Sequence, residues 1–287
     1  MRSFKTSWTV CVQNFRKWSG DTRVIIAFVL LLIVNHYYGS FFLDYNQSIS
    51  GNGVAPWNLI HLFQDGRIKA MLILPLVFLF SDAPFIDVNQ PYVISRCSRK
   101  SWSFGQVLYI ILGSGAYLLA SFVMSILVII GNIEWTTDWG LLIRTAVKEG
   151  ANIPGVNMST PHYFTPFIAL FYTVLLSWMA CSFIGLVIYV VNSATGKMGY
   201  GIAAGSLFVL LDFACVTMFA ANPLKNQWVY YFSPITWCSI SLINLEKDMS
   251  SPNITFVLCT YSVLIIALSV IAVMISRKQQ IDVIQAV

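Results

Sequence analysis

The chain has 287 residues, 57% of them hydrophobic and only 10% charged, with a mean hydropathy of +0.72. A soluble domain carries about 25% charged residues and about 45–50% apolar ones, so this composition excludes a soluble enzyme and a nucleic-acid binder. The net charge of +5 does not restore the latter, because the basic residues flank apolar runs instead of forming a patch. The class is an all-α, polytopic membrane protein.

The first segment, 1–22, is too polar to span but has helical periodicity. Phe4, Trp8, Cys11 or Val12, Phe15 and Trp18 recur at steps of three and four, with Lys5, Arg16 and Lys17 elsewhere. This predicts an amphipathic helix lying in the membrane interface, its basic residues toward lipid head groups. Six apolar runs follow: Val24–Leu43, Ala70–Ile86, Phe104–Gly131, Phe164–Val191, Gly199–Ala221 and Ile254–Ser276. Crossing a ~30 Å hydrocarbon core takes about 20 residues. Five runs clear that length; the second contains Pro75, Ser81, Asp82 and Pro84 and is marginal.

Basic residues arbitrate, because Lys and Arg concentrate in cytoplasmic loops. Six spans with both termini inside put 11 of the 17 basic residues inside, and the other six (Arg67, Lys69, Arg144, Lys148, Lys225, Lys247) outside. Dropping the second span lowers the split to nine against eight. Six transmembrane helices, with N and C termini inside, is the expected topology. The first run ends in Asn35-His36-Tyr37-Tyr38 with no small-residue cleavage site, so no cleavable signal peptide is expected. The six cysteines form no CxxC pair.

Between the spans, 132–163 and 222–253 form large outer loops. The first predicts a second interfacial helix, capped by Asp138, with Trp139, Leu142, Ile143, Ala146 and Val147 on its apolar face and Gly150 at its end. Asn152-Ile-Pro-Gly155 then reads as a turn. The second loop carries Trp228, Tyr230, Tyr231, Phe232, Ile235 and Trp237, too apolar for water. It predicts a broken, re-entrant hairpin around Ser233-Pro234, covered by protein. On the inner side, 87–103 packs Arg96, Arg99 and Lys100 into five residues, the densest basic cluster of that face.

Catalytic chemistry has no foothold. The chain lacks a phosphate-binding GxxxxGK[S/T], an HExxH, paired Cys/His metal spacing and a GxSxG elbow, so neither an enzyme nor a metal site is expected. Asp212 is the one formal charge clearly within a span, since Asp82 falls at the marginal end of the second run. A charge at membrane depth costs roughly 2.5–3.5 kcal/mol on insertion scales, so it needs a partner. It reads either as a carboxyl bonded to a neighbouring helix or as a polar point on a substrate or proton path. Asn35 and His36, near mid-depth on the first span, are candidate partners or interhelical glue. Gly201 and Gly205 form a GxxxG that admits a close helix from this chain or a second copy.

This layout resembles the membrane-spanning (permease) subunit of ABC-2-type ABC transporters, of the Gram-positive bacterial type. The resemblance rests on an N-terminal elbow helix before six spans, a basic loop Ser95-Arg96-Cys97-Ser98-Arg99-Lys100-Ser101-Trp102 between the second and third, and the apolar hairpin Tyr231-Phe232-Ser233-Pro234-Ile235-Thr236-Trp237 before the last. It covers nearly the whole chain, as a single permease domain over 1–287, and it is architectural more than local. It implies two permease subunits, as homodimer or heterodimer, with two cytosolic ABC ATPase subunits that bind ATP and Mg while this chain binds no cofactor. It also implies ATPase coupling through Arg96, Ser98, Arg99, Lys100 and Trp102, and an outer gate at Ser233, Pro234 and Trp237. The place is the bacterial cytoplasmic membrane, and the cargo is hydrophobic or amphipathic (an antimicrobial peptide, a drug or a lipid-like compound). The larger outer loops, notably 134–163, depart from simpler members. The rival readings are a proton-coupled secondary transporter using Asp212 and a non-transporting sensor or assembly protein.

Overall fold

Short polar side chains set several helix boundaries. Asp21 accepts the Arg23 N–H, Asp65 accepts from Arg67 and Ile68, and Ser98 accepts from Ser101, each satisfying amides that the first helical turn leaves unbonded. The computed structural model describes residues 2–49, 51, 53–86, 93, 94, 96–151, 153–157, 159–221, 227–243 and 252–278. Among these the chain is all-helical: α1 (Arg2–Arg16), α2 (Thr22–Ser48), α3 (Asn58–Leu62), α4 (Gly66–Leu79), α5 (Arg99–Ile129), α6 (Gly140–Glu149), α7 (Ser159–Tyr163), α8 (Pro166–Thr195), α9 (Met198–Ala221) and α10 (Ile254–Lys278).

Among the described residues five helices are long and apolar enough to cross a membrane: α2, α5 with the turn to Asn132, α8, Met198–Thr217 of α9, and Ile254–Ser276 of α10. The chain is a multi-pass membrane protein. The expected span Ala70–Ile86 is not one of the five. Its helix, α4, begins earlier, at Gly66 under the Asp65 cap, and stops after 14 residues, about 21 Å of rise. Ser81-Asp82-Ala83-Pro84 then forms turns instead of a further helical turn. The shift draws Lys69, assigned by sequence to a loop, into the helix.

α8 is the centre of the bundle and packs on α4, α5, α9 and α10. It is apolar all round, which suits a helix surrounded by other helices, and 67% of its span is buried against 17% for α10. α4 and α9 run antiparallel: Gly66 faces Val216, Lys69 meets Asp212, and Val77 faces Gly205. The end of the bundle carrying α3, α6, α7 and 227–243 is called here the cap end; the opposite end carries α1.

α1 is amphipathic as expected, and it buries one face against the protein. Ser7, Val10, Cys11 and Asn14 pack on the head of α5, while Phe4 and Trp8 are 59% and 48% exposed. Two polar side chains justify that choice. Ser7 Oγ donates to the Ser101 carbonyl at 2.8 Å and Asn14 Nδ2 to Gln106 Oε1 at 2.5 Å. Trp18 Nε1 donates to Tyr109 Oη at 2.8 Å, so α1 and its extension follow α5 for three turns. Gly105 makes the approach possible, since a β-carbon there would lie 2.7 Å from the Ser7 carbonyl and 2.8 Å from Val10 Cβ.

The helix predicted in 132–163 forms as α6, with Gly150 closing it in the left-handed region at φ 65°. Asp138 does not cap it; Trp139 occupies that position with no side-chain cap, and Asp138 pairs with Arg144 at 3.0 Å on the surface. The apolar face is buried in the protein core instead of in lipid, with Leu142, Ile143 and Ala146 at 1–2% exposure. Trp57 Nε1 donates to the Asp138 carbonyl, and Val54 bridges Ile133, so the segment 53–63 covers it. Residues 87–92 and 95 of the basic loop, 152 of the expected turn, and 222–226 and 244–251 of the second outer loop lie outside the described residues.

Gly105→Ala forces α1 off α5, and overpacking of this kind costs about 1–3 kcal/mol. Thermal unfolding in detergent should show a lower melting temperature for Gly105→Ala. Gly199→Ala, where nothing lies within 4 Å of the added carbon, should be neutral.

Candidate functional site

The partner that Asp212 needs is Lys69. Its Nζ lies 3.1 Å from Asp212 Oδ1, and both side chains have zero exposure. Lys69 Nζ also donates to Ser239 Oγ at 3.0 Å, and Ser239 Oγ donates to the Phe63 carbonyl at 2.7 Å. Thr236 Oγ1 donates to Asp212 Oδ1 at 2.6 Å and exchanges a hydrogen bond with Ser233 Oγ at 2.7 Å. Asp212 Oδ2 has no partner among the described residues. The ion pair therefore carries a hydroxyl from each side of the segment 233–239, which binds α4, α9 and the α3–α4 connection into one polar centre.

Lys69 sits in the first turn of α4. Asp212 is the fifteenth of the 24 residues of α9, about 4 Å past that helix's midpoint toward the cap end. Removing two ions from water costs several kcal/mol each. Attraction at this distance, about 5 kcal/mol at an effective dielectric of about 20, roughly offsets that cost only if both ions remain.

The segment expected to form a broken, protein-covered hairpin is broken; it is covered from Ser233 to Ile240, while Trp228 and Phe232 stand 60% and 73% exposed. It consists of short 3-10 turns, Gln227–Phe232, Thr236–Cys238 and Ile240–Leu242, with Ser233, Ile235 and Cys238 at zero exposure. Trp237, 3% exposed, donates from Nε1 to the Tyr230 carbonyl at 2.6 Å; Tyr261 on α10 donates to the Pro234 carbonyl. Ser241 Oγ donates to Gln64 Oε1 at 2.5 Å. Of the three residues expected to form an outer gate, Ser233 joins the polar centre through Thr236, while Pro234 and Trp237 meet Tyr261 of α10.

Asn35 and His36 are not part of it. Asn35 is buried against α5, where Nδ2 donates to the Leu31 carbonyl at 2.8 Å and approaches Ser121 Oγ at 3.4 Å, so it is interhelical glue. His36 is exposed. The GxxxG glycines meet helices of the same chain: Gly205 faces Ile188 of α8 and Val77 of α4, and Gly201 faces Asn192. Asn192, which no sequence pattern singled out, is a pin. Its Nδ2 donates to the carbonyls of Ser81 and Ala83 at 3.0 and 2.8 Å, and its Oδ1 accepts the Gly201 N–H at 2.8 Å.

At the α1 end, Arg96, Ser98, Arg99 and Lys100 are exposed around the first turn of α5. Trp102 does not join them. It is 3% exposed and packs with Val10 and Cys97, flanked by Val93 and Ile94, so it holds the basic turn to α1 and presents nothing outward. No group of three or more metal-ligating side chains occurs among the described residues. No family model, curated protein or solved structure matches this chain. The geometry alone therefore carries any functional reading beyond the resemblance in layout.

Lys69 had a legible signal. Asp65-Gly66 is a helix start, which places Lys69 in the first turn of an apolar helix, and a lone aspartate in another span needs a cation. Counting Lys69 as a loop charge hid the match.

A buried histidine lies in the cap. His61 on α3 is fully buried, with its ring 5.9 Å from Phe42 and 5.6 Å from Trp139. Burial lowers its pKa to about 4, and the neighbouring Gly155 backbone pulls the other way without offsetting it. A β-carbon on Gly155 would overlap the His61 carbonyl, so the turn 153–155 presses directly on α3.

Lys69→Met leaves Asp212 buried and unpaired, and should cost about 3–5 kcal/mol, read as lost monodisperse protein or a large fall in melting temperature. The double variant Lys69→Met with Asp212→Leu should recover most of that loss. For His61 the folded pKa is depressed, so its contribution is full above the unfolded value near 6.5 and is lost as pH falls toward 4. Melting temperature should drop between pH 7 and pH 4.5 in the wild type, and less steeply in His61→Gln.

Proposed function

We propose that the chain is the transmembrane permease subunit of an ATP-driven ABC exporter that moves hydrophobic or amphipathic cargo outward across the bacterial cytoplasmic membrane. The observation that carries this reading is the basic turn at the head of α5. Arg96, Arg99 and Lys100 stand exposed there, while Ser7, Asn14 and Trp102 fasten the same turn to α1. A charged surface backed by a rigid seam is what a soluble motor needs in order to push on a helix. α5 has 31 residues, about 46 Å of rise, so it exceeds a ~30 Å core and carries displacement at its head into the bundle.

In this reading α1 is the elbow helix at the inner interface, with Phe4 and Trp8 toward lipid. α4 completes a six-span topology with both termini inside, and the cap end faces outward. The segment 233–239 closes the outer side as a re-entrant hairpin held by Lys69 and Asp212. ATP and Mg belong to a partner ATPase, and a second permease subunit completes the assembly. ATP-driven closure of the motor domains turns the head of α5, and the bundle responds at the cap by releasing the hairpin.

A proton-coupled carrier is the second reading, favoured by one observation: an ionisable pair buried at membrane depth marks proton paths in many membrane proteins. The two readings separate in proteoliposomes. Export by the exporter needs the cognate ATPase and ATP and survives a protonophore; the carrier works alone and stops with one.

The coupling assignment is tested by Arg96→Glu with Arg99→Glu, expressed with the candidate ATPase. Charge reversal should abolish co-purification or cargo-stimulated hydrolysis while leaving the melting temperature within a few degrees of wild type, because both side chains are exposed. Unchanged complex formation and unchanged stimulation would sink it.

A further inference from the structure

The turn that ends α4 holds one residue in a backbone conformation it disfavours. Phe85 has φ 58°, in the left-handed region, where a β-carbon crowds the following carbonyl oxygen. Glycine occupies that region freely and asparagine tolerates it, but for a bulky side chain it is an outlier. Such a conformation persists only where the surroundings enforce it. Here the ring supplies the hold. Phe85 is 9% exposed and meets Tyr109 of α5 edge-on at 4.8 Å, with Phe80 edge-on at 6.3 Å.

The chain before Phe85 is anchored on several sides. Asn192 of α8 donates to the Ser81 and Ala83 carbonyls, and Asp82 Oδ2 lies 2.7 Å from the Arg23 guanidinium at the start of α2. Phe80 is wedged between α5 and α8: a β-carbon on Gly185 would lie 2.8 Å from its ring, and one on Gly113 3.3 Å. After Phe85 the situation changes. Ile86 is 46% exposed and leads into the basic loop 87–103. The far end of that loop is fastened to α1, through Trp102 on Val10 and Ser7 on the Ser101 carbonyl.

We infer that Phe85 is a two-position hinge at the root of the basic loop. In one position the ring is docked on Tyr109 and the backbone is held in the left-handed region. In the other the ring is undocked and φ has relaxed to the ordinary negative range. The two changes are a single rotation, because the ring and the chain that follows lie on the same side of the Phe85 N–Cα bond. Taking φ from 58° to about −65° turns both through about 120°. With the preceding turn pinned, all of that rotation falls on the loop. Backbone strain favours release; the aromatic pair and ring burial oppose it, so the docked position is the resting one. Tyr109 also accepts the Trp18 Nε1–H at 2.8 Å and meets Phe15 at 5.1 Å, so undocking at Phe85 loosens the seat that α1 shares. The inference rests on backbone and ring geometry and stands apart from the transport reading.

The test is hydrogen exchange, read by mass spectrometry on the detergent-solubilised chain over peptides covering 81–86, with melting temperature measured alongside. Phe85→Ala removes the ring and keeps the strain, and should raise exchange in this segment tenfold or more over wild type. Phe85→Gly and Phe85→Asn also remove the ring but accept the left-handed region. They should exchange roughly three- to tenfold more slowly than Phe85→Ala and melt higher. At an unstrained position the order of alanine and glycine is the reverse, since glycine loses more freedom on folding. Tyr109→Leu takes away the seat and leaves Phe85 in place. It should raise exchange over 81–86 while 233–240 stays as in wild type, which keeps the hinge testable if Phe85→Ala does not fold. Exchange in Phe85→Gly equal to or faster than in Phe85→Ala, or a segment 81–86 unchanged by Tyr109→Leu, would overturn the assignment.

Discussion

Lys69 and Asp212 lie 3.1 Å apart without solvent exposure, and neither could be buried alone. Each ion loses several kcal/mol of hydration, and only the other supplies a comparable return. The arrangement of helices around them follows from that constraint. α4 must start where the Asp65 cap puts Lys69 in its first turn, and α9 must present Asp212 to the same point. The segment 233–239 must bring its hydroxyls into the remaining space. A pair of this kind adds little net stability over an apolar replacement; its effect is on which arrangement forms, because any register of α4 against α9 that separates the charges leaves two uncompensated ions.

Asn192 does comparable work at the other end of the same helix pair. Two carbonyls from the turn after α4 and one amide from α9 meet on a single side chain, and all three would otherwise be unbonded in an apolar surrounding. With the ion pair at one end and the amide at the other, α4 is fixed against both α8 and α9. The glycines of α9 serve this packing, since Gly201 and Gly205 let Asn192 and Ile188 come close. The GxxxG signal is used within one chain.

Much of the architecture was legible because it follows from apolar length. Five runs of sufficient length became helices, and the apolar stretch after α9 became broken, buried turns around Ser233 and Pro234. What escaped was direction and partnership. The periodicity of α1 showed an amphipathic helix, yet its buried side turned on Ser7 and Asn14 meeting Ser101 and Gln106, a match between residues some 90 positions apart that no local pattern contains. The apolar face of α6 was legible, but it read as facing lipid, and its cover is protein from 53–63. Asp212 announced a need that Lys69 met from a position counted as loop, and Trp102 read as part of a charged surface because its neighbours in sequence are charged.

The shortness of α4 has a consequence for the bilayer beside it. Met71, Leu74 and Phe78 form its exposed apolar stripe, and from end to end the helix offers lipid only about two-thirds of the usual hydrocarbon thickness. A bilayer that met that stripe would have to thin or tilt its tails, at a cost of a fraction of a kcal/mol per Å of mismatch, whereas α2, α5 and α8, at 27, 31 and 30 residues, are each long enough to cross it unaided.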